Sequence, residues 1–333
     1  MTIIRNILTV LVVMMMVQIN ALADGLPEGI PDGMGVLPSA VPVPADNPMS
    51  ESKVELGKKL YFEPALSKSG NFSCNSCHNL GTWGVDNQQF SIGHKWQRGG
   101  RNAPTVLNSA FWSTQFWDGR APLLEDQAKG PPLNPVEMAS LSQEKVMGRL
   151  AEAGYGPLFE QVFGKNALNY DNMAKAIAAF ERTLITPDSA FDLYVRGEGE
   201  ISAAAKRGMK KVDEIGCTSC HSGPLFTDNS FQNFAYGVDD GRKSVTKKDE
   251  DDHLFRVQSW RNVAMTAPYF HDGTVKTLAQ AVRIMASVQL DTKLSDADVA
   301  DITAFLETLT GKSPVVTFPL LPRPAGHALT WSD

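Results

Sequence analysis

The chain has 333 residues, 43 % of them apolar and 20 % charged, with a formal net charge of −6. That composition excludes a disordered or low-complexity protein, and its length suggests two domains. No basic run or clustered basic face is evident, which argues against nucleic acid as a partner.

Residues 1–23 read as a secretory signal peptide. Arg5 supplies the positive start, Ile7 to Val17 is nearly all apolar, and Ala21-Leu22-Ala23 is a small-residue cleavage site. Gln18 and Asn20 interrupt the run before it reaches the roughly 20 residues of a membrane anchor. The expectation is therefore an exported, periplasmic protein with no membrane span after cleavage. Removing that segment takes away Arg5 and no acid, so the mature charge becomes −7. A solvated surface or an acidic docking face for a basic partner would each account for it.

Residues 24–48, rich in Pro and Gly, read as an extended arm or linker on the surface. A helix is expected over Ser50 to Phe62, leading into Cys74-Asn75-Ser76-Cys77-His78. This is the attachment signal for c-type haem: two cysteines form thioethers with the haem vinyl groups and the histidine reaches the iron. The signal returns at Cys217-Thr218-Ser219-Cys220-His221, and the two copies use all four cysteines. Zinc or a redox dithiol would also suit paired cysteines, but neither requires a histidine directly after each pair. With every cysteine committed to two covalent haems, no disulfide is expected.

Residues 79–104 read as a long functional loop, and 105–137 hold the aromatic segments Phe111-Trp112 and Phe116-Trp117. Helices are expected over Leu141 to Ala153 and Asp171 to Ile185, the second capped by Asp171. The polar stretch 186–201 is the candidate boundary between a first haem domain, 49–187, and a second, 188–313. Ser202 to Glu214, Thr274 to Leu290 and Ser295 to Thr310 read as the later helices, the last opening on a Ser295…Asp298 capping box. Residues 237–253 read as a mobile charged loop, and the tail 314–333 as packing back on the body. The second half echoes the first: Gly57-Lys58-Lys59-Leu60 returns as Gly208-Met209-Lys210-Lys211-Val212, Arg101-Asn102 as Arg261-Asn262, and Phe116-Trp117-Asp118-Gly119 as Phe270-His271-Asp272-Gly273. The fold class is mainly α, two cytochrome c-like domains each carrying one haem, with few short strands.

Two haems allow an electron wire, a binding protein, or an enzyme with one haem of each kind. A methionine in the sixth position makes an electron-transfer centre, whereas an open position admits an oxidant. Met285, on the inner face of a helix, is the candidate sixth ligand above His221; Met265 is a rival, and a core methionine the plain reading. His94, in the flexible segment Ile92-Gly93-His94, could bind and release the iron above His78, or be a surface histidine. Glu137 could serve as a distal acid–base group, or be merely solvated.

Over essentially the whole mature chain the sequence resembles the bacterial di-haem cytochrome c peroxidases. The resemblance is carried by Leu56 to Phe62, Ser73 to Asn79, Gly93-His94-Lys95-Trp96, Gln115 to Arg120, Gln127 to Pro131, Val136-Glu137-Met138, Thr186 to Ser189, Ala264 to His271 and Ile284-Met285. It implies a periplasmic homodimer that reduces hydrogen peroxide to water with two electrons from a small redox protein, cytochrome c or blue copper protein. It further implies His78 as proximal ligand of the peroxidatic haem, with His94 its removable partner. Gln127 and Glu137 become the distal pair, His221 and Met285 the axial pair of the electron-transferring haem, and Trp117 the residue between haems. Asn102, Thr266 and Pro268 match an inter-haem calcium site. Trp112 and Trp260 depart from the pattern, which has smaller residues there, and 237–253 has no match. Two other readings stand beside it: a non-catalytic di-haem carrier, and the related subfamily that oxidises tryptophans on a partner protein, in which tyrosine replaces the methionine.

Overall fold

The computed structural model describes residues 29–323; the signal peptide reading lies outside them. In the first half, helix α1 (Glu51–Tyr61) starts where the Ser50 side chain accepts from Lys53 N. It is followed by α2 (Leu124–Ala128), α3 (Gln143–Glu152), α4 (Gly156–Phe163) and α5 (Tyr170–Glu181). The second half holds α6 (Ala190–Val195), α7 (Ala203–Glu214), α8 (Leu278–Leu290) and α9 (Asp296–Glu307). One antiparallel pair, β1 (Phe231–Asn233) and β2 (Leu254–Arg256), sets Gln232 opposite Phe255. The fold is mainly α, as the sequence indicates.

Each half is organised on one close helix crossing. At Gly57 of α1 an added Cβ would lie 1.8 Å from the Ala176 carbonyl oxygen of α5. At Gly208 of α7 it would lie 1.9 Å from that of Asp301 in α9. Only glycine lets these backbones touch. Leu60, Leu150, Tyr155, Phe159 and Met173 fill the first core, and Phe191, Phe226, Phe305 and Leu309 the second, all 0 % exposed.

The halves repeat in the register of the Phe116 and Phe270 segments, and the Arg-Asn match falls outside it. The counterpart of Asn262 is Asn108, not Asn102. Both adopt left-handed backbone, at φ 62° and 61°, and each opens a 3₁₀ turn, Ser109–Phe111 and Val263–Met265. Downstream, the bridges Gln115↔Ala121 and Tyr269↔Val275 close equivalent turns. Phe116 and Phe270 share φ 69° and 68°. Trp117 of the first half therefore corresponds to His271 of the second. Matching Arg-Asn letters missed this because the constraint is conformational: Asn tolerates the left-handed region there.

Several expectations change. Asn169, whose side chain accepts from Asn172 N, caps α5 in place of Asp171. The 186–201 stretch carries α6, and its Phe191 is fully buried in the second core. The arm is no surface strap throughout, since Ile30, Met34 and Leu37 are buried. Segment 237–253 is tied down: Arg101 grips Asp239 at 2.7 Å, and Arg242 Nη1 donates to the Asp118 carbonyl at 2.7 Å. Tail residues 314–323 lie on the first half, with Phe318 4.8 Å from Phe62 and Arg323 paired to buried Glu63.

Candidate functional site: two cavities with a shared wall

A cavity of about 550 Å³ opens beside the first cysteine signal and one of about 380 Å³ beside the second. The first is lined by Cys74, Cys77, His78, Gln127 and Glu137, the second by Cys217, Cys220, His221 and Met285. Asn102, Pro104, Trp112 and Trp117 line both, forming a common wall.

The two histidines are prepared alike. His78 Nδ1 sits 3.0 Å from the Pro104 carbonyl and His221 Nδ1 3.1 Å from that of Phe226. An Nδ1–H donated to a carbonyl leaves Nε2 as a free ligand atom of fixed orientation. Burial disfavours the imidazolium, pulling His78 down and His221 down to about 4, so each ring is held neutral, the form that ligates metal. Trp260 stacks on the His221 ring at 4.4 Å. The Tyr61 hydroxyl donates to the His78 carbonyl at 2.5 Å.

The cysteines do not suit a redox dithiol. Burial raises the thiol of Cys74, and lifts Cys77 and Cys217 to about 11, whereas reactive dithiols are depressed. The zinc alternative fails as well: among the described residues no cluster of three His, Cys, Asp or Glu side chains could hold a metal. Paired half-buried thiols, one neutral histidine and an adjoining cavity fit a covalently attached haem, twice over.

The cavities differ opposite their histidines. In the first, the Glu137 carboxyl accepts from Asn134 Nδ2 at 2.8 Å. Burial raises its pKa, while the Arg120 charge and the Asn134 hydrogen bond pull it back. In the second, no Asp or Glu lines the wall among the described residues, and Met285 lines it along with Leu278, Val282 and Leu306. Met265, 38 % exposed, does not line it.

His94 is placed beside the first cavity and not in its wall. Gly93 does line it, and a Cβ there would lie 2.2 Å from the Val136 carbonyl oxygen. His94 N donates to the Glu137 carbonyl at 2.8 Å, and its ring Nδ1 is buried without a partner. Lys95 and Trp96 follow at φ 56° and 62°, a conformation costly for such side chains.

Trp117 Nε1 donates to the Asn102 carbonyl at 2.9 Å, locking the indole in the shared wall. Asn102, Thr266 and Pro268 all line the second cavity. The Asn102 amide nitrogen donates to Gln88 O at 2.8 Å, leaving its oxygen as a hard donor. Sequence reasoning did not single out Pro104, Phe226, Asn134 or Arg120. The first two act through backbone carbonyls and carry no side-chain signal.

Fold and site thus define a c-type protein with two haem cavities. A family model described as di-haem cytochrome c peroxidase matches residues 51–200. The chain is 46 % identical to the cytochrome c551 peroxidase of Pseudomonas aeruginosa, covering 86 % of each chain. It is 38 % identical to the methylamine utilization protein MauG of Methylorubrum extorquens, again over 86 % of each. A solved MauG-like protein associated with microbial copper homeostasis superposes with a TM-score of 0.75 at 29 % identity, covering 83 % of this chain and 95 % of that one. The chain belongs to the di-haem cytochrome c peroxidase family, and is an enzyme of that class.

Proposed function

We propose that the chain is a periplasmic peroxidase reducing hydrogen peroxide to two waters, with two protons and with two electrons from a small redox protein, a cytochrome c or blue copper protein. When bound, the two haems supply the electron storage and delivery that this reduction needs. The observation that carries the reading is the Glu137 carboxyl, held by Asn134 in the same cavity as His78, while among the described residues no acid lines the His221 cavity.

Heterolysis of the O–O bond requires moving a proton from one peroxide oxygen to the other. Glu137 accepts it at a carboxylate oxygen and returns it to the departing oxygen, with Gln127 orienting the substrate. Such groups typically contribute 10²–10⁴-fold. Met285 and His221 would hold the second haem, and Trp117 would fill the wall between the two. His94 would cap the first cavity before activation and withdraw on activation; its backbone bond to Glu137 ties that movement to the catalytic carboxyl. Asn102 Oδ1 and the carbonyls of Thr266 and Pro268 would hold calcium. A homodimer belongs to the same reading.

Stopped-flow mixing of the half-reduced protein with peroxide tests it. Rapid peroxide consumption that needs prior reduction in the wild type, and does not in His94→Gly, is expected. A half-reduced protein inert to peroxide would make the chain an electron carrier.

A further inference from the structure

The shared wall also holds donors with nothing to donate to. Trp112 lines both cavities and is 8 % exposed, and its Nε1 has no partner. Above its ring, 4.4 Å from the centroid, lies the guanidinium of Arg256, 1 % exposed and lining the second cavity. Arg256 Nη1 donates to Val257 O at 3.3 Å and Nη2 to Gln258 Oε1 at 3.1 Å, both neutral acceptors, and its Nε is unpaired. Comparably buried arginines here are neutralised: Arg182 by Glu125 through two bonds of 2.7 and 2.9 Å, Arg261 by Asp192 at 2.9 Å.

A buried guanidinium without a counter-charge is costly, and contact with an aromatic face offsets only part of that cost. Its fork matches a carboxylate, and the adjacent indole N–H adds a third donor. We propose that Trp112 and Arg256 form a carboxylate receptor in the wall of the second cavity, filled by a propionate of the haem bound at Cys217 and Cys220. Among the described residues no carboxylate side chain lines that cavity, which leaves the haem's own acid group to reach it.

The consequence is redox bias. Neutralising a carboxylate near the iron favours the reduced state, and Arg256 lines the second cavity but not the first. The receptor therefore directs the first electron to the second haem. The inference rests on the second cavity holding a haem, and not on the peroxide chemistry; a protein that failed to turn over could still pass this test.

The experiment is a spectroelectrochemical titration of each haem in the loaded protein, its Arg256→Gln, Arg256→Lys and Trp112→Phe variants, with thermal melting to confirm folding. In Arg256→Gln the second haem's equilibrium with its reductant should shift at least tenfold toward oxidised, 59 mV for one electron, and the first haem's less. Its potential should also climb as pH falls, because the released carboxylate now titrates, where the wild type stays flat. Arg256→Lys should retain most of the wild-type value, and Trp112→Phe should shift the same way by less. Unchanged potentials in both Arg256→Gln and Trp112→Phe, or equal shifts in the Gln and Lys variants, would overturn the receptor. Acetate added at constant ionic strength should not move the wild type; if it does, a soluble carboxylate fills the site and the haem assignment is wrong.

Discussion

The two cavities rest on the same helix crossing, the same cysteine spacing and the same carbonyl-anchored histidine, yet they face those histidines with opposite chemistry. The lining that includes His78 also includes Glu137, Gln127 and Asn134. The lining that includes His221 holds the Met285 thioether and, among the described residues, no acid. On the proposed function the shared parts would hold the haems, and Glu137, which lines the first cavity, would handle protons there. Trp117 and its counterpart His271 diverge too: the indole, in the shared wall, is anchored to Asn102, while the histidine, in neither cavity lining, is 1 % exposed with both ring nitrogens unpaired.

The sharpest way to break this contrast is Glu137→Ala. It should lower turnover about 10²–10⁴-fold with both haems retained, measured by steady-state peroxide reduction; unchanged turnover would remove the carboxyl from the chemistry. Met285→His makes the second cavity's ligation resemble a bis-histidine site. It should shift that haem's redox equilibrium about tenfold or more toward oxidised, roughly 59 mV for one electron, and an unmoved potential would point to a different ligand. The shared architecture can be tested by Gly57→Ala and Gly208→Ala. Each forces a methyl into a carbonyl and should cost about 1–3 kcal/mol by denaturant unfolding, with similar losses in the two halves. The smallest effect is expected from Asn134→Ala. Its hydrogen bond favours ionised Glu137, so its loss raises that pKa, and the acid limb of kcat/KM should move to higher pH.

Much of this was legible in the sequence, for identifiable reasons. Covalent attachment demands fixed letters at fixed spacing, so Cys74 to His78 and Cys217 to His221 announce themselves. Helix α9 was readable from its capping box, where Ser295 and Asp298 bond reciprocally. What stayed hidden depends on backbone groups or on conformation. The Pro104 and Phe226 carbonyls that orient the histidines have no letter of their own. The true repeat register is carried by left-handed Asn108 and Asn262. Met285 and Met265 were equivalent on spacing, and only burial separates them, because one lines a cavity and the other faces solvent. Arg256 belongs to no motif, and only its neutral partners, Val257 O and Gln258 Oε1, set it apart from the acid-paired Arg182 and Arg261.

The side chain of Thr186 joins the repeats at their equivalent points. It is 0 % exposed, and its hydroxyl oxygen receives Asn108 Nδ2 at 2.8 Å and Asn262 Nδ2 at 2.9 Å. One atom thus clasps the two turns that lead to Trp117 and to His271. Replacing Thr186 by valine would therefore strip both asparagine amides of a partner at once, loosening the two halves together.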